Sequence, residues 1–563
     1  MLVSYSRLKK IAFICLALPS VIFALGFLRW YIGLAVAALI ALACVFALRK
    51  TEGGAGAENK EFFISKLWLF FIGAAVLLWC YLAGLGNLYY QSGDWWARNA
   101  IFRDLISHSW PVTYEIKDAA LVYYIGFWLP PAIVGKVVLG ICGDMEIAFF
   151  VGNIFLWLWS ALCIFITVLV TSCFTRARSG RAVALLLAVF IFFSGLDIVG
   201  TVLGDLGSEI VIGDHIEWWT PYYQISSVTT CLFWVFNQAI FSWLTTVCFL
   251  NEKSVKNYVF LLLACTPCSP FSCVGLGLYM LGEGAVRLVL SLKEKKAIGF
   301  LREVFSLQNI FSLAVLPVYF LYYASNLGVG ATKDNIVTLD EPVSLGALLF
   351  FGSMICFFSV SAFLMHKRGR AWGGLVALAI ISAIFVLVAI LNRSVRKEYV
   401  FTVILECGVY LLLLWKDNKR RPVFYLTLVL VLICPLIRIG TAADFCMRAS
   451  MPAVFVLMAL SVRLLTERGA SLWERGERSA EQRKHRVICT LLIVVLLLGA
   501  VTPYKEIERG IVAVAEEGRV VLVNDYVYTL DRVFSGEQKD LDRNFIAADY
   551  RDKLFFRYLA KRN

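Results

Sequence analysis

Charge is scarce in this sequence. Asp, Glu, Lys and Arg make up 17% of its 563 residues, against 60% hydrophobic residues and a mean hydropathy of +0.77. That excludes a water-soluble domain, which needs far less apolar surface. No low-complexity segment, no convincing internal repeat and no soluble catalytic domain is present. Cysteine is not short, at 16 residues, but it lacks the company that chemistry would need. Most cysteines (Cys15, Cys44, Cys80, Cys163 and Cys248 among them) lie inside apolar runs and read as small core residues. "CTPC" at 265–268 sits in an apolar hairpin with no further His or Cys in ligand spacing. The N-terminal "MLVSYSRLKK" and its apolar run resemble a signal peptide but lack the small-residue cleavage site. They read as an uncleaved first span.

What is present is a series of apolar runs of about 18 to 25 residues, each long enough to cross roughly 30 Å of hydrocarbon. The expected fold class is all-α, a polytopic transmembrane bundle of about 13 to 16 spans, because helices satisfy their own backbone groups in lipid. The net charge of +13 fits basic loops that set topology and gives no reason to invoke nucleic acid.

Charge then assigns sides. Spans are expected at Ile11–Leu28, Tyr31–Leu48 and Leu67–Leu85, with the basic loop "RKTEGGAGAENKEFFISK" in the cytoplasm. The third span delivers "QSGDWWARNAIFRDLISHSWPV" (91–112) to the outer face. The following "AALVYYIGFWLPPAIVGKVVLG" is broken by Pro130 and Pro131. Its uninterrupted part, Ala119–Leu129, is about 16 Å of helix, too short to cross, and is read as aromatic-rich and interfacial. The run Glu146–Phe174 then returns to basic "TRARSGR". Later spans are Ala182–Gly204, Val228–Leu250, a hairpin broken at "TPCSPFS", Ile310–Tyr323 and beyond, Leu345–Met365, Trp372–Leu391, Tyr399–Trp415, Tyr425–Ile437, Ala449–Leu464 and Val487–Val501.

This divides the chain into 1–66, two extra spans and a loop; 67–325, a core with external loops 87–145 and 205–227; 326–502, a second span bundle; and 503–563, an external tail. Within the tail, "RVVLVNDYVY" suggests a short strand and "DYRDKLFFRYLAK" an amphipathic helix. A bacterial plasma-membrane protein with a cytoplasmic N-terminus is the expected setting.

The outer face carries basic residues that topology does not require: Arg393, Arg396, Lys397, Arg438 and Arg448. Arginine's planar fork suits phosphate, here a lipid-linked one, although pairing with Asp444, Glu398 and headgroups would also explain the set. In the first loop Ser92 is placed to cap a helix starting at Gly93, with Asp94 and Arg98 on one face. Asp94 suits a base for an acceptor hydroxyl, or simply a first-turn carboxylate paired with Arg98. Asp104 is a rival. Trp95 and Trp96 suit sugar stacking or an interfacial belt. The second loop, "GDHIEWWTPYYQ", offers Asp214, His215, Glu217, Trp218, Trp219, Tyr222 and Tyr223. His215 and Glu217 suit acid/base or acceptor-binding work, and Trp218 and Trp219 suit stacking. Asp214, His215 and Glu217 also offer metal-ligating atoms, which leaves a divalent cation open and names no cofactor.

The order of parts (third span, Asp94, the segment "ALVYYIGFWLPPAIVGK", and the return span near Glu146) resembles the GT-C superfamily of polytopic glycosyltransferases. Relatives often carry a paired acidic motif where Asp94 is followed by two tryptophans, and two additional spans precede the loop here. The resemblance implies sugar transfer from a polyprenyl-phosphate-type donor to an envelope glycan, glycolipid or protein, with Asp94 in the catalytic-base position. Its partners would be the lipid-linked donor, membrane lipids and a glycan or lipid acceptor. A transporter or flippase of lipid-linked saccharide is the alternative, and would place ionisable groups at mid-membrane; Glu283 and Glu406 are the residues of that kind. A non-catalytic scaffold of envelope assembly is the third reading.

Overall fold

The computed structural model describes residues 2–49, 61–114, 118–204, 215–218, 219–220, 223–326, 397–437, 443–472, 480–518, 520, 530 and 544–562. The chain is an all-α polytopic bundle. Among the described residues, nine helical stretches are long and apolar enough to span a membrane. In chain order the first helices are α1 (Tyr5–Phe27), α2 (Trp30–Leu48), α3 (Lys66–Leu82), α4 (Trp95–Ser107), α5 (Leu129–Cys142) and α6 (Met145–Thr175). Then come α7 (Gly180–Ile191), α8 (Asp197–Gly204), α9 (Val228–Asn251), α10 (Tyr258–Cys265), α11 (Pro270–Lys293), α12 (Ala297–Val304) and α13 (Leu307–Ala324). After the undescribed stretch follow α14 (Lys397–Val403), a π-helical turn at Ile404–Gly408, α15 (Val409–Asn418), α16 (Pro422–Ile433), α17 (Asp444–Arg468), α18 (Ala480–Gly499) and α19 (Val501–Glu517). The expected spans Leu345–Met365 and Trp372–Leu391 and the strand in "RVVLVNDYVY" lie outside the described residues.

Helix starts follow local chemistry. Asp144 accepts from the N–H groups of Glu146 (2.8 Å) and Ile147 (3.2 Å) to cap α6, and Ser179 and Ser227 cap α7 and α9 in the same way. Both α9 and α17 are buried almost throughout and form the centre of the bundle. Inside α9, Thr245 and Thr246 donate to carbonyls one turn back, so their hydroxyls cost little in an apolar setting.

The basic loops collect at one end. Lys9 pairs with Glu252, Arg176 and Arg463 with Glu467, Arg468 with Asp417, and Lys416 with Glu481. Asn251 ties two of these groups together by donating to the Val170 carbonyl. The opposite end carries the loop after α3 and a small sheet, β3 (Thr113–Tyr114), β4 (Ala119–Leu121) and β5 (Ile546–Ala548). A further antiparallel pair, β1 (Leu2–Ser4) with β2 (Glu61–Phe63), brackets α1 and α2.

Several expectations are corrected. Residues 119–129 are not an interfacial helix: they form β4 and a 3-10 turn (Gly126–Trp128), with Phe127 and Trp128 fully buried. Pro130 and Pro131 sit in the first turn of α5, where a missing N–H is harmless, so they start a helix and do not break one. At 14 residues, α5 is about 21 Å long and folds back along α6. The run Ala182–Gly204 divides into α7 and α8 around "FFSGL". The helix through Val487–Val501 continues to Glu517 as α19, so the boundary at 503 falls within a helix. The end of the chain forms short 3-10 and π turns (Tyr550–Asp552, Phe555–Leu559) in place of an amphipathic helix.

Candidate functional site

The loop after α3 is anchored by a break in α9. Val235 has non-helical dihedrals (φ −140°, ψ 39°), which interrupts the helical ladder. The Phe233 carbonyl then accepts from Ser92 Oγ (3.2 Å) and Trp95 Nε1 (3.0 Å), while the Trp95 ring stacks on Phe236 at 4.9 Å. Ser92 is therefore a docking residue and not the expected helix cap, and α4 begins at Trp95 with Asp94 at the N-cap position. Trp95 is buried and structural, which removes it from the sugar-stacking set. Trp96 is half-buried against the core.

Asp94 projects from this anchored turn with its side chain 56% exposed. Its carboxylate pairs with Arg98 Nη2 at 3.1 Å. Arg98 is itself buried, and its Nε and Nη1 have no partner. A second pair of identical spacing comes from the far side of the chain: Arg448 Nη1 donates to Asp444 at 2.8 Å in the first turns of α17. Arg448 is 11% exposed and its Nε also lacks a partner.

Tyr123 and Tyr124, whose rings lie 4.5 Å apart, both lie within electrostatic reach of the Asp444–Arg448 pair. Tyr123 is within electrostatic reach of Arg448, Arg98, Asp444 and Asp94 together. Burial pushes its hydroxyl up, against the pull of the two guanidiniums. Arg448 also lies over the Phe271 ring at 6.0 Å, and its carbonyl accepts from Ser272 at the start of α11. Asn237 of α9 donates to the Tyr124 carbonyl, and the neighbouring Gln238 is fully buried with neither amide atom partnered. A guanidinium or amide left unpaired inside a protein costs free energy, so a concentration of such atoms marks a place built for a polar guest.

The remaining candidates divide clearly. Asp104 is fully buried and its Oδ2 accepts from the Tyr114 hydroxyl (2.6 Å) and the Leu530 N–H (3.0 Å), which ties distant elements together. Glu217 is also buried: Oε1 accepts from the Ser227 N–H at 2.8 Å and Oε2 from Gln224 at 3.0 Å. Burial, then the neighbouring Asp197, pushes the Glu217 carboxyl up to about 7. His215 lies 3.2 Å from Glu506 on α19, receives Arg509, and stacks on Trp218 at 4.3 Å. Trp218 is exposed, whereas Trp219 is half-buried and donates to Glu406 at 3.2 Å. Asp214, Tyr222, Arg393, Arg396 and Arg438 lie outside the described residues, as does the side chain of Lys397. Of the expected phosphate-binding set, Arg448 is the one whose surroundings can be described. Among the described residues no three His, Cys, Asp or Glu side chains converge as metal ligands.

Reading the sequence named Glu406 as an ionisable residue within a span but missed its buried neighbour Asp197. Asp197 accepts from Ser194 (2.8 Å) and Thr502 (2.9 Å) and lies against Glu406, which sits in the π-helical turn. The Glu406 carboxyl occupies the space where a Cβ on Gly195 would be. Both acids stand in otherwise uncharged runs, "FFSGLDIVG" and "VILECGVY"; that signal singled out Glu406 and could equally have found Asp197. The structure links Cys231 to both centres, since Glu217 and Arg448 each lie within electrostatic reach of it.

No protein-family description, no curated protein and no solved structure matches this chain.

Proposed function

We propose that this protein is an integral membrane glycosyltransferase that moves a sugar from a polyprenyl-phosphate-type lipid to a hydroxyl acceptor. One observation carries the reading: two Asp–Arg pairs, more than three hundred residues apart in sequence, both lie within electrostatic reach of Tyr123 and both have guanidinium nitrogens unpaired. The resemblance to GT-C enzymes supplies the reaction class. The acceptor O–H gives its proton to the Asp94 carboxylate, its oxygen bonds to the anomeric carbon, and the bond from that carbon to the phosphate oxygen breaks. The lipid phosphate leaves carrying the negative charge, which Arg448 and Arg98 stabilise by charge-assisted hydrogen bonds. Attack opposite the departing phosphate inverts the anomeric configuration. Asp94 is the one carboxylate of the proposed acid set that is open to an acceptor; Asp104 and Glu217 are occupied by protein donors.

The test is a transfer assay on membranes with a radiolabelled polyprenyl-phosphate sugar. Asp94→Asn is expected to lower product by about a hundredfold or more while donor binding persists. Transfer at the wild-type rate in that variant would sink the assignment.

A second reading, movement of a lipid-linked saccharide across the bilayer, is favoured by the Asp197–Glu406 pair. These acids lie where one helix is interrupted and another takes a π turn, and ionisable groups at broken helices suit a transport pathway. Translocation of labelled lipid in vesicles without any glycosylated product would favour it over transfer.

A further inference from the structure

We propose that α12 and the turn before it form a binding site for anionic phospholipid headgroups at the basic end of the bundle. The inference stands independently of glycosyl transfer. Helix α12 connects α11 to α13, both apolar enough to span, so it must lie at a bilayer surface. None of its residues is fully buried. Ala297, Phe300 and Val304 turn toward the bundle, while Ile298, Leu301 and Phe305, spaced three and four apart, are 70%, 47% and 66% exposed. Such a stripe on a surface-bound helix suits the boundary between headgroups and acyl chains.

The rim of the stripe is basic. Lys295, Lys296 and Arg302 are exposed; the nearby acids are Glu294, which pairs with Lys296 at 2.9 Å, and the half-buried Glu303. Lys295 also holds an unusual backbone position. The N–H of Lys296 returns to the Ser291 carbonyl and that of Lys295 to Leu292, which is the closing pattern of a helix that ordinarily ends in glycine. Here the left-handed residue (φ +56°) is a lysine. A side chain at that conformation carries a backbone cost that glycine would avoid. The far end of α12 is pinned to the bundle: Asn309 donates to the carbonyls of Val255 and Val304, and Ser306 to that of Lys256. Exposed cations beside an inserted apolar edge match a leaflet rich in negatively charged headgroups.

The full-length protein would be placed in nanodiscs of equimolar phosphatidylglycerol and phosphatidylcholine, extracted gently, and its retained lipid quantified by mass spectrometry. Phosphatidylglycerol is expected to be enriched, and the K295Q/K296Q/R302Q variant is expected to lose that enrichment by about tenfold. Monodispersity and an unchanged melting temperature would establish that the variant is folded. Equal retention of the two lipids by the wild type, or full enrichment in a folded variant, overturns the proposal.

Discussion

Glu217 shows how much a neighbourhood can change one carboxyl group. It stands in a loop, yet it is buried, and Asp197 adds a second acid nearby. With a folded-state value near 7 against an ordinary 4.5, the folded protein binds this proton more tightly than the unfolded chain does. Its contribution is therefore harmless below about 4.5 and grows more destabilising until about 7. Glu217→Gln should flatten that part of the stability-versus-pH curve, read as melting temperature in detergent at several pH values. An unchanged slope would mean that Glu217 is ionised throughout. Sequence spacing flagged Glu217 as available, but availability depends on partners distant in the chain. Ser227 closes over one of its oxygens and Gln224 over the other. The Asp94–Arg98 pair was legible because its two residues lie four apart on one local turn.

Between elements, the position of Arg448 depends on how closely two helices approach. A Cβ at Gly275 on α11 would overlap the backbone carbonyl of Ala449 on α17, and Ser272 reaches the Arg448 carbonyl at 2.9 Å. Small residues let helices approach in lipid, where packing, and not exclusion of water, holds them together. Gly275→Leu should cost about 1–3 kcal/mol through overpacking. It should also weaken binding of a lipid-phosphate analogue, since Arg448 moves with its helix. Retained affinity in a folded G275L protein would show that Arg448 does not need this contact. Helices such as α6 and α17 were legible from their apolar length. The β4 strand was not: the aromatic residues that follow it suit an interfacial helix equally well, and its partner β5 lies more than four hundred residues away.

For the whole molecule, the sorting of basic loops to one end agrees with the alternation of spans read from charge. The proposed sidedness, with Asp94 outside, has a direct handle. Among the described cysteines Cys142, at the end of α5, is exposed. Intact cells treated with an impermeant maleimide should label the protein, and Cys142→Ser should remove most of that labelling. Labelling that appears only after lysis would place the Asp94 end inside. This residue also reports on α5, where the proline pair marks the start of a 14-residue helix and does not interrupt one.

The small sheet at the Asp94 end imposes an order on biogenesis. β4 pairs on one side with β3, which is made at nearly the same time, and on the other with β5 at residues 546–548. Phe545 lies on Tyr123, and Leu530 reaches Asp104. A ribosome will have translated nearly every helix before the open flank of β4 can be covered. Until then, a growing polypeptide presents unsatisfied amides beside its tyrosine pair, so the pocket can reach its working shape only late in synthesis.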